Sequence, residues 1–434
     1  MPKLAVHSVG SRIIESLFLN FPSKALAPLK QEFYGPHFSL FSRGMTDAST
    51  LKHIIEKAQT ETQKEAAKSF VKDILTKGMT KSFYGFTYFQ ELLAEYIDVV
   101  EPSEIRSVAS SVADNSIHLL STRAGTRVVA ACASYGTPKD RKRICKSLKG
   151  YTSSSLLHRD AYLALIRLVQ VTDDTVSIHK SILNEILTAP KEEEDNSIIP
   201  PVLKLALSET GSKFFLMLLA ENDEARMKYF DPYERTILET QPKIMENGKE
   251  VPTSKKDPDV RRQELLKYMS PTLVALCIEH CHQLLNSLPG SRILKEIYRN
   301  FASNELVEAM VNACESGFEV QSDDSEKEGE SYSLYEHPIG HRSVKSLILC
   351  DSEMDSPAFS VSLVGRLGNR LKDVAKSNRG AFVAAALFKV SSVRSDVASN
   401  LKGIEKTLEK AAKKKGATAG YAALLKEITN VVPR

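Results

Sequence analysis

No run of the 434 residues approaches the roughly 20 consecutive apolar residues that a bilayer-crossing helix needs, so none is expected. The first thirty residues lack the basic start, short apolar stretch and small-residue cleavage site of a secretory leader, which argues against export. Cysteine is scarce: six in the whole chain do not make a disulfide framework and are expected as free thiols in a reducing compartment. Net charge is nearly absent, 58 Lys+Arg against 54 Asp+Glu leaving +4, which neither demands nor forbids a nucleic-acid partner. There is no Walker-type glycine loop and no Gly-x-Ser-x-Gly elbow, so no catalytic residue or cofactor is assigned. Cys277, His280 and Cys281 could share a helix face, but no second Cys/His pair at finger spacing follows and no metal site is expected. His337 and His341 have Pro338 between them, which argues against one regular helix there.

What the chain does have is enough apolar content, 42%, for a continuous core, and a spacing that repeats. Seven of its 20 glycines, Gly10, Gly85, Gly125, Gly211, Gly290, Gly340 and Gly380, are followed by apolar residues at +3, +4, +7 and +8. Gly211, for instance, leads to Phe214, Phe215, Leu218 and Leu219; only Gly340 departs, with Ser343 at +3. Residues three and four apart share one face of a helix. A weaker copy without the glycine is expected to start at Asp160. Most intervals resolve into one or two units of about 35–45 residues, the range of helical repeat arrays. Strand-like alternation is scarce, so the expected fold is all-α, a solenoid in which each unit buries its apolar face against its neighbours.

Each helical residue advances about 100°, which places +2 opposite the apolar stripe. The residues there are Arg12, Thr87, Arg127, Lys213, Arg292, Arg342 and Phe382, five of the seven basic. Stacked helices would align these cations into a ladder suited to a phosphate backbone. A second cluster, Lys139, Arg141, Lys142, Arg143, Lys146 and Lys149, is opposed only by Asp140, and it begins at a helix start marked by Pro138, where cations are unfavourable. Lys255, Lys256, Arg261 and Arg262 form a third group, and Lys413 to Lys415 a fourth. Three stretches read as solvated loops: Pro190 to Pro201 with its acidic run Glu192 to Asp195, the Lys/Pro/Gly-rich segment 240–258, and the acidic segment 321–333.

Four motifs in order, Gly136-Thr-Pro-Lys-Asp-Arg-Lys142, Asp259-Val-Arg-Arg-Gln-Glu-Leu-Leu266 leading to Ser270-Pro271, Glu336-His-Pro-Ile-Gly-His341 and Ser377-Asn-Arg-Gly380, resemble the nucleolar Puf-A/Penguin branch of Pumilio-homology proteins, over nearly the whole chain. The resemblance implies a curved or L-shaped array of Puf repeats over 1–239, a loop at 240–258 and Puf-like CPL repeats over 259–434. It also implies that the chain begins inside the array, leaving an apolar face at Leu4, Ile13 and Ile14. Its sequence-reading relatives contact one base with three side chains per repeat, which correspond here to +1, +2 and +5. The first copy, Ser11, Arg12 and Glu15, resembles a guanine-reading set; the others, such as Thr126, Arg127 and Ala130, or Ala381, Phe382 and Ala385, fit no code.

Backbone contact is therefore expected over base readout, from Arg12, Arg127, Lys213, Arg292 and Arg342, extended by Lys139, Arg141, Lys142 and Arg143 and by His341 and Arg379 of the resembling motifs. The resemblance implies a non-catalytic protein of ribosome biogenesis that binds RNA, with DNA as a second ligand, located in the nucleolus, with precursor ribosomal RNA or messages and pre-ribosomal proteins as partners and no membrane. Two other readings stand beside it: a HEAT- or armadillo-like scaffold for acidic protein segments, and a translational regulator bound to messages.

Overall fold

The computed structural model describes residues 1–35, 50–188, 199–318, 332–413 and 418–431. The acidic run at 192–195, most of the acidic segment 321–333, and Lys414 and Lys415 lie outside them. Each of the seven marked glycines introduces a helix, α1 (Gly10–Asn20), α2 (Thr87–Ile97), α3 (Arg123–Tyr135), α5 (Glu209–Leu219), α6 (Leu288–Phe301), α7 (Gly340–Asp351) and α8 (Asn378–Leu387), and the glycine-free copy forms α4 (Tyr162–Val171). A further glycine, Gly420, lies in α9 (Ala419–Val431), a copy hidden in the sequence by Glu427 at its +7 place. The described residues fall into two units, Met1–Pro190 with Met227–Leu265, and Lys191–Arg226 with Leu266–Arg434. In the first unit α1 packs on α2, α2 on α3 and α3 on α4; in the second, α5 to α9 pack in the same consecutive way.

The apolar positions behave as their spacing predicts. Those of α2, α3, α5, α6, α7 and α8 are all buried, Ser343 included, whose hydroxyl donates to the Ile339 carbonyl at 3.2 Å. In α1, Ile14 is buried while Ile13 is exposed, as is Leu4. The glycine-free copy is displaced by one residue from its expected start. Counting from Ala161 instead of Asp160 gives Ala164, Leu165, Leu168 and Val169, all buried, and moves Arg167 out of the apolar row.

A second regularity lies upstream of the glycine. Three residues before it stands a side chain that accepts its N–H: Thr122 for Gly125 at 3.0 Å, Ser377 for Gly380 at 2.9 Å, and Ser208 and Ser287 for Gly211 and Gly290 at 3.3 Å. Imidazoles take the same place elsewhere. His7 Nδ1 accepts from Gly10 at 3.1 Å, His337 Nδ1 from Gly340 at 3.0 Å and His158 Nδ1 from Ala161 at 3.2 Å, which fixes the register of α4. Such acceptors satisfy amide donors that the first helical turn leaves unpaired.

Six residues before these glycines, Gly85 excepted, a carbonyl presses against the start of the helix. A Cβ on Gly125 would lie 1.9 Å from the Leu119 oxygen, and one on Gly380 2.0 Å from the Val374 oxygen. Glycine is required there by close approach of backbone, and any side chain would push consecutive helices apart.

Segment 240–258 differs from the solvated loop expected of it. Strands β1 (Lys243–Glu246) and β2 (Lys249–Pro252) pair antiparallel with Ile244 opposite Val251, joined at Asn247 and Gly248, whose φ values of 52° and 74° suit a type I′ turn.

Gly125→Ala and Gly380→Ala should each destabilise by about 1–3 kcal/mol through overpacking, whereas Gly85→Ala, where nothing lies within 4 Å of the added carbon, should cost far less. Urea unfolding of the three variants checks this; equal stability would refute the close-approach account.

Candidate nucleic-acid interface

In the first unit the would-be reading positions are engaged inside the array. Ser11 at +1 of α1 is buried, and Thr126 at +1 of α3 is buried with its hydroxyl on the Thr122 carbonyl at 2.9 Å. Glu15 at +5 does not face solvent as a guanine acceptor. Its carboxylate accepts the N–H groups of Thr87 at 2.9 Å and Tyr88 at 3.3 Å, so it caps α2, where a negative charge meets the positive end of the helix. Gln90, the +5 residue of α2, likewise holds the turn before α3, donating to the carbonyls of Tyr84 at 2.7 Å and His118 at 2.9 Å. The +2 cations divide: Arg12 is exposed, while Arg127 is half-buried and ion-paired with Asp98.

The second unit repeats the pattern. Ser212 at +1 of α5 donates to the Glu209 carbonyl at 3.1 Å, and Lys213 at +2 is buried, which removes it from the expected ladder. Arg292 is half-buried, 3.8 Å from Glu209. His341 is buried too, its Nδ1 donating to the His337 carbonyl at 2.7 Å; burial lowers its pKa, and Arg379, Arg342 and Lys345 add to that direction. Arg342 is exposed. Lys345 Nζ stands 5.3 Å from the half-buried ring of Phe382, and Arg379 donates to the Glu336 carbonyl with its guanidinium 5.8 Å from the Tyr332 ring centre.

The basic cluster on helix Pro138–Leu148 is split between surface and core. Thr137 and Asp140 form a capping box at its start, Thr137 Oγ1 accepting the Asp140 N–H at 3.2 Å and the Asp140 carboxylate accepting the Thr137 N–H at 3.0 Å. Lys139 and Lys142 are exposed. Arg143 is half-buried and forked onto Asp114 at 2.9 and 2.6 Å. Arg141 is the correction of most consequence: it is 1% exposed and cannot touch a nucleic acid. Its guanidinium donates to the carbonyls of Ala133 at 2.7 Å and Ser134 at 3.0 Å, at the end of α3, and to Thr253 Oγ1 at 2.8 Å and Thr253 O at 3.2 Å.

Arg167 and Arg261 do related work. Arg167 donates to Ser134 Oγ at 2.7 Å and to the carbonyls of Leu238 at 3.1 Å and Thr240 at 2.5 Å; Arg261 reaches the Gln170 carbonyl and Asp173 at 3.0 Å. Three buried cations thus gather around the carbonyl ends of α3 and α4, where the helix dipole is negative. Burial lowers both Arg141 and Arg167 to about 10, so both stay charged at neutral pH. The third basic group is therefore structural in part, with Arg261 buried and Lys256 paired to Glu264 at 2.7 Å. Cys277 and Cys281 are buried in the second unit, burial raising the Cys281 thiol to about 12.

Comparison with known proteins places this geometry. The model of the CPL (NUC119) domain matches residues 207–358. Pumilio homolog 3 of Homo sapiens is 27% identical over 439 residues, covering 98% of this chain and 62% of its own length, so the chain spans about three fifths of that relative. The crystal structure of human Puf-A is similar with a TM-score of 0.76 and 25% identity, covering 98% of this chain and 78% of that one. Human Puf-A in complex with DNA gives a TM-score of 0.75 at 23% identity over 98% of this chain and 77% of that one, a likeness of fold.

Arg141→Ala should destabilise by about 3 kcal/mol, because buried carbonyls lose a charged donor. Lys142→Ala, on the exposed face, should stay within about 0.5 kcal/mol of the parent. Thermal unfolding of the two side by side decides whether the cluster divides as described.

Proposed function

Because the chain belongs to the Pumilio-homology proteins of the Puf-A type, an all-α solenoid of Puf repeats with a CPL domain, we propose that it binds RNA, and DNA as well, through the sugar-phosphate backbone with little preference for sequence. One observation carries this reading. The +1 side chains Ser11, Thr126, Ser212 and His341 are buried, and the +5 side chains Glu15 and Gln90 bond the next repeat, so few groups remain to contact base edges. The exposed cations Arg12, Lys139, Lys142 and Arg342 remain available to phosphate. A lysine or arginine that meets phosphate releases counterions whatever the base, which gives affinity without discrimination. The complex of human Puf-A with DNA, a protein of similar fold, supports nucleic acid as the class of ligand. On this reading the protein works in the nucleolus, holding precursor ribosomal RNA during large-subunit assembly beside pre-ribosomal proteins.

Binding measured against salt should give a steep log–log slope, with scrambled oligonucleotides bound about equally. Arg12→Gln and Arg342→Gln should each lower the slope by about 1 and weaken all sequences alike. Tight, salt-insensitive binding to one sequence would overturn the proposal. Crosslinking and sequencing of the bound RNA should return ribosomal precursors; reads dominated by messages would move the protein to translational control.

A further inference from the structure

Helix Pro138–Leu148 and the turn that follows it carry more than their place in the repeat requires. Arg141, Ile144, Cys145 and Leu148 face the core. On the other side Lys139, Lys142, Lys146 and Lys149 are all exposed. Steps of three, four and three residues keep these lysines on one stripe, and ten residues of helical rise span about 15 Å. Among the described residues none of the four side-chain ammonium groups has a hydrogen-bond or ion-pair partner. The carboxylates that feel Lys146 and Lys142 are engaged elsewhere, Asp114 by the fork of Arg143, and Asp174 by the N–H of Ser177 at 2.9 Å and its hydroxyl at 2.6 Å.

At the end of the stripe the chain turns through Gly150, whose φ of 87° suits glycine. This turn is pinned. The Glu185 carboxylate accepts the N–H of Gly150, the N–H of Thr152 and the hydroxyl of Thr152, each at 2.8 Å. Between those two residues stands Tyr151, its backbone N–H on the Leu148 carbonyl at 3.0 Å and its side chain 55% exposed. A carboxylate thus holds the backbone on both sides of an aromatic ring that lies open to water. An exposed ring on a pinned backbone, next to a row of lysines with unpaired ammonium groups, matches the two requirements of single-strand recognition, a stacking face for an unpaired base and cations for its phosphates.

We infer that the lysine stripe 139–149 and Tyr151 form a single-strand nucleic-acid contact separate from the row of +2 residues, with the lysines on successive phosphates and Tyr151 stacked on an unpaired base. The inference deepens the reading proposed above and rests on it. Duplex bases are already stacked on one another, so the ring should favour single strands while the lysines serve both forms.

The test uses the full chain and fluorescence anisotropy with two probes, an unstructured pyrimidine oligonucleotide and a blunt duplex. Tyr151→Ala should weaken the single strand roughly tenfold and leave the duplex nearly unchanged, and Tyr151→Trp should bind as the parent does. Glutamine at all four lysine positions should weaken both probes and flatten the salt slope, with thermal unfolding unchanged in every variant. Parental single-strand affinity in Tyr151→Ala, or an equal loss on both probes, overturns the inference while leaving nucleic-acid binding in place. Failure of the parent chain to bind either probe sinks the underlying reading as well. An acidic peptide that needs the four lysines, with oligonucleotide binding unaffected by their loss, would reassign the stripe to a protein partner.

Discussion

The structure depends on a backbone contact repeated at most junctions, a carbonyl six residues upstream set against the α-carbon of a glycine that opens the next helix. At Gly125 and Gly380 the space left for a side chain is about nil, 1.9 and 2.0 Å to the opposing oxygen. That approach lets an acceptor three residues earlier close on the glycine N–H, whether hydroxyl or imidazole. With the entry angle fixed, the apolar positions of each helix meet those of its neighbour without a gap. Close packing punishes even a methylene of displacement, so the junction sets the tolerance for the core that follows.

The same constraint decides where charge can go. A +5 side chain lies close to the next junction, and in α1 and α2 it is drawn in: Glu15 caps the following helix and Gln90 ties the following turn. Buried arginines serve the opposite ends, Arg141 and Arg261 closing the carbonyl termini of α3 and α4, and Arg141 and Arg167 fastening Thr253 and the 238–240 carbonyls beside them. Cations of one cluster thereby have opposite fates. Arg141 is a fastener, and Lys139 and Lys142, on the same helix, are free to meet a ligand.

Much of this was legible in the sequence and part was not, for physical reasons. The 3.6-residue period located the helices, because burial of an apolar stripe needs no partner-specific information. Periodicity cannot say which of two polar faces is covered by the adjacent repeat, so Ser11, Lys213 and His341 read as surface residues and are buried. Arg141 was misplaced for a related reason: its acceptors include Thr253, more than a hundred residues away. The register of α4 was recoverable. His158 stands where His7 and His337 stand, and counting from it reaches Ala161 directly. Segment 240–258 resembled a loop by composition, yet Thr253 is ordered by Arg141, which composition does not reveal.

The junction has a bearing on how such a chain can lengthen. Its three requirements, a carbonyl, an acceptor and a glycine or alanine, occupy seven consecutive residues, and residues between one junction and the next answer to none of them. Repeat length is consequently a loose variable: Gly125 to Ala161 is 36 residues and Ala161 to Gly211 is 50. An architecture whose phase is reset locally at every step accumulates no error from insertions. Its loops are free to acquire charge, length or new partners without disturbing the junctions on either side.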